Sequence, residues 1–193
     1  MRTKTTILLA LFTALIVILQ GLSMFVHLGT FSIAALSLVP IVIGSAICGP
    51  WAGAWLGAVF GFMTLIDPST SLFYILSPLG TIITVMIKGI CAGLFAGLIY
   101  KALAKKSRVW AVSLAAILSP ITNTAIFTLG CYAFFLPTIK TWAAFAGIKS
   151  AAYFIFTVLI GFNFFIELAL NIVLIGAILA IIRIKEGDYL ANS

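Results

Sequence analysis

Charged residues are what this sequence has least of. Only 8% of its residues are charged and four are acidic, whereas 64% are hydrophobic and the mean hydropathy is +1.30. A soluble domain typically carries about 25% charged residues. These proportions exclude a soluble globular domain and predict an all-α integral membrane protein.

Motifs for catalysis are also missing. The sequence has no G-x-x-x-x-G-K-[ST] phosphate loop, no G-x-S-x-G nucleophile elbow and no H-E-x-x-H metal motif, and it holds one histidine. We therefore expect no enzymatic activity, no cofactor and no metal, and we expect that the chain cannot hydrolyse ATP by itself. The cysteines Cys48, Cys91 and Cys131 lack metal-ligand spacing and are interpreted as small packing residues.

What the sequence does contain is a series of apolar stretches. A membrane-spanning helix needs about 20 apolar residues, so the chain fits a single transmembrane domain of six helices. The first apolar run is too long for a signal peptide, and Gly49-Pro50 divides the uncharged stretch that follows it. The predicted helices cover residues 6–26, 33–48, 51–66, 79–103, 109–136 and 151–183. The last is longer than a bilayer requires, so we expect its start to lie along the surface.

The basic residues predict the orientation, because Lys and Arg are retained on the cytoplasmic side. In the six-helix arrangement, Lys140 and Lys149 lie outside. The other basic residues of the loops and termini lie on the opposite side: Arg2, Lys4, Lys101, Lys105, Lys106, Arg108, Arg183 and Lys185. We therefore predict that both termini are cytoplasmic. This asymmetry accounts for the net charge of +7 without a nucleic-acid partner.

Two ionisable residues, Lys88 and Glu167, lie inside predicted membrane helices. A charge at that depth costs several kcal/mol unless it faces protein, water or a ligand, so both are candidate site residues. Alternatively, the two side chains form an ion pair that only stabilises the bundle. The two interpretations are compatible, because such a pair can also form the wall of a pocket.

Further polar residues form stripes along helix faces. Two precede Lys88 at i−7 and i−4, two flank Glu167 at four-residue spacing, and one follows Ser119 by four residues on the fifth predicted helix. They lie on three different helices, between the outer interface and the middle of the bilayer. This arrangement predicts a pocket that is open to the outside and not a continuous pore. The additional pocket candidates are Thr81, Thr84, Asn123, Asn163 and Asn171.

Aromatic residues near the outer loops are candidates for a lid over this pocket. Tyr74 and Trp142 are included as substrate-binding candidates, although such residues also form interfacial belts. His27 and Asp67 are interpreted as helix-end caps and not as ligands.

Small residues at four-residue spacing predict close helix packing. One ladder consists of Gly53, Gly57 and Gly61, a second of Gly89, Gly93 and Gly97, and Ala10 and Ala14 form a weaker pair. The glycine ladders are interpreted as packing within the chain, whereas the alanine pair could serve a partner.

The order of these features resembles the substrate-binding S component of energy-coupling factor (ECF) vitamin importers. The resemblance covers nearly the whole chain and rests on a combination of motifs. These are Ala10-x-x-x-Ala14, Leu38-Val-Pro-Ile-Val-Ile-Gly44 before Gly49-Pro50-x-x-Gly53, the ladder from Gly89 to Gly97 before Tyr100-Lys101, and Phe162-Asn163.

The resemblance implies high-affinity binding of one small water-soluble vitamin under an outer lid, in the cell membrane of a prokaryote. It also implies a membrane-embedded scaffold, the T component, and two ATPase subunits as partners. In such proteins the paired alanines contact the scaffold, which suggests that role for Ala10 and Ala14. The asparagine of the last helix binds substrate, which suggests that role for Asn163.

The identity of the vitamin is less strongly indicated. Ser77-Pro78 and the stretch from Met86 to Ile90 look like those of pantothenate-specific members, in which an arginine would replace Lys88. Lysine provides a point charge where arginine provides a bidentate donor. Riboflavin, folate and other micronutrients stay open as substrates. The alternatives from other classes are a membrane scaffold or assembly protein and a small channel.

Overall fold

The computed structural model describes residues 3–25, 27–28, 31–32 and 36–182. Nearly all of them are helical. In chain order the helices are α1 (Thr3–Phe25), α2 (Leu38–Cys48), α3 (Pro50–Ile66), α4 (Ser71–Leu76), α5 (Pro78–Leu103), α6 (Arg108–Gly130), α7 (Leu136–Phe145), α8 (Ala151–Phe154), α9 (Gly161–Val173) and α10 (175–182). A two-residue antiparallel pair, β1 (His27–Leu28) and β2 (Phe31–Ser32), lies between α1 and α2.

Several helices are suited to a membrane by length and composition. Three qualify singly: α1, α5 and the continuous stretch Arg108–Phe145, and two bent pairs each qualify as one further span. Helix α2, with 11 residues, is shorter than a span requires. The protein is therefore all-helical with three to five membrane-capable helices, while six spans and cytoplasmic termini stay a prediction. Arg2, Arg183, Lys185 and residues 33–35 lie outside the described residues.

The helix predicted over 109–136 is longer in the structure. Helix α6 continues through a π-helical segment, Cys131–Phe135, into α7 and ends at Phe145. Pro137 directly follows the π-helical segment, so its missing amide hydrogen falls where the regular α-helical hydrogen bonding is already interrupted. Trp142, which we expected near a loop, therefore lies on a helix.

The helix predicted over 151–183 is interrupted. A π-helical segment, Ile155–Ile160, leads into Gly161, whose φ of +44° lies in a region that favours glycine. At this break the chain bends by 51° between Ala151–Ile160 and Asn163–Val173. A similar break after Asp67 bends the chain by 73° between α3 and the segment Pro68–Leu76.

The two glycine ladders bring α3 and α5 into backbone contact. A methyl group on Gly53 would overlap the carbonyl oxygen of Gly93, and one on Gly57 would overlap that of Gly89. Such close approach is the usual role of small residues between membrane helices. It also fixes the backbone next to Lys88, which precedes one of these glycines.

Two buried hydrophobic clusters hold the helices together. The first includes Ile16, Leu56 and Ile178 from α1, α3 and α10. The second includes Phe135 and Ile155 from the π-helical segments that follow α6 and α8. Many other large apolar side chains are exposed, as expected of helices that face lipid.

Candidate functional site

A cavity of about 360 Å³ lies among α1, α3, α5, α6 and α9. It touches both hydrophobic clusters, through Phe60 of the first and Phe135 of the second. Its polar lining consists of Gln20, Thr64, Asp67, Ser69, Thr70, Thr81, Thr84, Lys88, Asn123, Thr124, Asn163 and Glu167. Its apolar lining consists of Phe60, Phe73, Val85, Phe127, Phe135, Leu159, Ile160 and Phe164. A few polar groups within an apolar wall are typical of sites for small ligands.

Lys88 lines this cavity from α5 and is half-buried. Its Nζ lies 5.9 Å from the ring centroid of Phe60 and 5.4 Å from that of Phe127. Both distances are within the range of a cation–π interaction. The two rings therefore hold the ammonium group beside the cavity while leaving its three N–H donors available for an anion.

Two threonines of α5 line the cavity on the same face as Lys88, as the helical spacing predicts. Thr81 Oγ1 donates a hydrogen bond to the carbonyl oxygen of Ser77 at 2.9 Å. Thr84 is buried, and its Oγ1 has no hydrogen-bond partner in the described part of the protein. Thr84 is therefore the member of this pair that is free to bind a ligand.

Glu167 lines the cavity from α9 and is 6% exposed. Its Oε1 accepts a hydrogen bond of 2.9 Å from Asn163 Nδ2, one helical turn earlier. The side chain of Asn123 on α6 also neighbours this carboxylate. The three residues thus form a polar group that joins two helices.

Lys88 and Glu167 line the same cavity, but no salt bridge joins them within the described residues. A directly bonded pair would satisfy both charges without a ligand. Without such a bond the Lys88 ammonium group can still bind an external anion. This geometry favours the pocket over the purely structural interpretation.

Three buried oxygen atoms on cavity-lining residues have no partner among the described residues: Thr84 Oγ1, Asn123 Oδ1 and Asn163 Oδ1. Leaving a buried polar atom without a hydrogen bond costs about 1–3 kcal/mol. Such atoms are rare in folded proteins. Several of them around one cavity indicate that a ligand or water molecule forms hydrogen bonds with them.

Three predicted site residues do not line the cavity. Asn171 is fully buried, and its Nδ2 donates to the backbone oxygen of Glu167 at 2.8 Å. Tyr74 is 40% exposed on α4. The ring of Trp142 packs edge-to-face on Phe73, with the centroids 6.0 Å apart. Trp142 therefore supports a lining residue without reaching the cavity itself.

Sequence reasoning missed several lining residues. Gln20 of α1 is buried, and its Nε2 donates to Thr64 Oγ1 at 3.1 Å. Asp67 accepts a hydrogen bond from the amide of Ser69 at 2.8 Å, as a cap would, but it also lines the cavity. Gln20 could have been selected from the sequence, because its polar amide lies deep in an apolar helix. The same argument selected Lys88.

The alanine pair lies away from this cavity. Ala10 and Ala14 are exposed on the outer face of α1, next to the exposed side chains of Ile7, Leu11 and Ile18. They therefore form a shallow surface that a partner helix can approach closely.

The described residues contain no group of three or more His, Cys, Asp or Glu side chains arranged to hold a metal ion. The unpartnered oxygen atoms and the Lys88 ammonium group around the cavity can form hydrogen bonds with an organic ligand.

Comparison with known proteins identifies the family. The sequence profile described as "ECF transporter, substrate-specific component" matches residues 4–179. No curated protein and no solved structure shows a significant match. The matched region covers the helices from α1 to α9, apart from Thr3, and every residue that lines the cavity. The chain therefore belongs to the family of substrate-specific components of ECF transporters.

Proposed function

We propose that this chain binds a small water-soluble vitamin with high affinity for uptake by an ECF importer, and that the vitamin is pantothenate. Family membership supports the substrate-specific role, which is that of a transport subunit and not of an enzyme. The observation that carries the proposal is the cavity with the Lys88 ammonium group held between two aromatic rings.

The chemistry of pantothenate suits this cavity. Its carboxylate pairs with Lys88, and such a charge-assisted hydrogen bond is about twice as strong as a neutral one. Its two hydroxyl groups and amide N–H can donate to the unpartnered oxygens of Asn123 and Asn163 and to the Glu167 carboxylate. Its dimethyl group fits against apolar lining residues such as Val85.

The other vitamins fit less well. Riboflavin carries no carboxylate, so Lys88 would be left without an anionic partner. Folate carries two carboxylates, and Asp67 would repel the second of them at the cavity wall. Folate is also long, whereas a volume of about 360 Å³ lies near the lower end of the roughly 300–1,000 Å³ range of ligand pockets.

The partners follow from the same proposal. A membrane-embedded T component and two ATPase subunits supply energy coupling, and the exposed surface at Ala10 and Ala14 docks the T component. The chain crosses the cell membrane of a prokaryote six times, with both termini cytoplasmic. In this arrangement the cavity opens to the outside, because α5 begins at the outer surface and Lys88 lies below its first turns.

A membrane scaffold and a small channel are the alternatives from other classes. Neither of these functions requires several unpartnered oxygen atoms around a single cavity.

A thermal-shift screen of the purified chain against water-soluble vitamins tests the proposal, since a ligand at 100 times its Kd adds about 2.7 kcal/mol of stability. We expect pantothenate to raise the unfolding temperature. Stabilisation by none of the vitamins would contradict substrate binding, and stabilisation by another vitamin alone would contradict pantothenate.

A further inference from the structure

A second concave surface lies at the hairpin between α7 and α8, separate from the substrate cavity. It has a volume of about 470 Å³ and is lined by Lys140, Lys149 and small or apolar residues. None of its lining residues lines the substrate cavity. We call it the hairpin site.

Local hydrogen bonds bring the two lysines to the same surface. Helix α7 ends with bonds from the amides of Ile148 and Gly147 to the carbonyl oxygens of Ala143 and Ala144, at 2.8 and 3.0 Å. With Gly147 at φ +71°, these bonds form a Schellman motif, which ends α7. Ser150 then caps α8 by accepting a hydrogen bond from the amide of Tyr153.

The hairpin site is positively charged, and its charge has no acidic partner among the residues that the structure describes. Lys140 and Lys149 are exposed, and the sequence contains no acidic residue between Asp67 and Glu167. Both of those acidic residues line the substrate cavity instead. The small side chains between the two lysines, such as Ala144, leave the centre of the surface open to an anion.

The helix that leads to this surface is long enough to cross the whole membrane. The continuous helix Arg108–Phe145 has 38 residues, which at about 1.5 Å per residue extends about 57 Å. A bilayer with its headgroup regions is about 40–45 Å thick. If Arg108 lies in one headgroup layer, the end of α7 therefore lies in the opposite one when the helix is tilted by about 40°, at the upper end of the range for membrane helices. Phe145 and Tyr153, which are 87% and 61% exposed, flank the site as interfacial aromatic residues do.

We propose that the hairpin site binds the phosphate of an anionic phospholipid headgroup. The two ammonium groups bind the phosphate, and the neighbouring aromatic side chains contact the upper part of the acyl chains. Ala143, Ile148 and Ala151 of the site also pack in the second hydrophobic cluster, to which the cavity residues Phe135 and Ile160 belong. A bound lipid would therefore stabilise the hairpin against one wall of the substrate cavity.

The test uses the full chain in nanodiscs of phosphatidylcholine that contain a small fraction of phosphatidylglycerol with a photoactivatable headgroup. Adducts are mapped by mass spectrometry of peptides that cover residues 137–153. At subsaturating lipid, adduct yield follows the association constant. Lys140→Gln combined with Lys149→Gln should lower that yield by about 30-fold, since each lysine contributes about 1 kcal/mol near an anionic surface.

Two control variants make the result specific. Lys140→Arg with Lys149→Arg keeps both charges and should keep the adduct yield within about twofold of the wild type. Lys105→Gln with Lys106→Gln removes two charges at the opposite end of the bundle and should leave the hairpin adducts unchanged.

Three results would overturn the proposal. The first is an unchanged yield in the double glutamine variant. The second is an equal yield from a phosphatidylcholine photoprobe, which would show an apolar anchor without anion recognition. The third is displacement of the labelled lipid by millimolar inorganic phosphate, which would show a site for soluble anions.

Discussion

Replacing Lys88 with methionine should weaken vitamin binding substantially. Methionine keeps a similar length and removes the charge, so the side chain can still pack between the rings of Phe60 and Phe127. No salt bridge within the described residues competes for the ammonium group, so its interaction with a ligand carboxylate is available in full. A hydrogen bond to a charged group contributes about 1.5–3 kcal/mol, and the expected loss is therefore about 10- to 150-fold in Kd.

Titration calorimetry of the purified chain with pantothenate measures this effect. Lys105→Met is the matched control, because it removes the same charge from an exposed position that lines neither the cavity nor the hairpin site. We expect its Kd to stay within about twofold of the wild type, as separated sites act nearly independently. A folded Lys88→Met variant whose Kd equals that of the wild type would refute the role of Lys88. Unchanged binding in the double variant Lys88→Met with Glu167→Gln would support a purely structural pair.

The other predictions concern packing, the helix break and docking. Gly57→Ala should lower thermal stability, because its methyl group overlaps the carbonyl oxygen of Gly89, whereas Gly21→Ala, with open space around its Cβ, should not. Gly161→Ala should cost about 1–3 kcal/mol of unfolding free energy through backbone strain alone, and an unchanged denaturation midpoint would show that the break does not need glycine. Trp at both Ala10 and Ala14 should abolish uptake and co-purification of the T component, while the Kd for the vitamin stays within about threefold of the wild type. Normal uptake by this variant would show that the T component docks elsewhere.

Helical periodicity correctly grouped residues that share a face, and this is why the cavity residues of α5 were found together. Thr81, Thr84 and Lys88 all line the cavity at the predicted spacing. Periodicity does not say where along a face the cavity ends. Asn163 and Asn171 lie four residues before and four residues after Glu167. Asn171 nevertheless does not line the cavity, and its side chain donates a hydrogen bond to the backbone.

The breaks in the helices were harder to predict than their faces. The π-helical segments and the conformation of Gly161 depend on tertiary packing, and no local sequence motif predicted them. These breaks determine which aromatic side chains reach the cavity. As a result Phe73 and Phe135 line it, whereas Tyr74 and Trp142, which we had selected, do not.

This chain alone should bind a small vitamin in the cavity between α5 and α9. The most direct measurement is titration calorimetry of the purified chain with pantothenate, without nucleotide or partner subunits, for the wild type and for Asn163→Trp. The tryptophan fills space at the cavity wall, where the asparagine side chain is half-buried. We predict saturable one-to-one binding by the wild type and its loss in a folded Asn163→Trp protein. Equal pantothenate binding by both proteins would contradict the assignment of the cavity, and binding by neither would contradict pantothenate as the substrate.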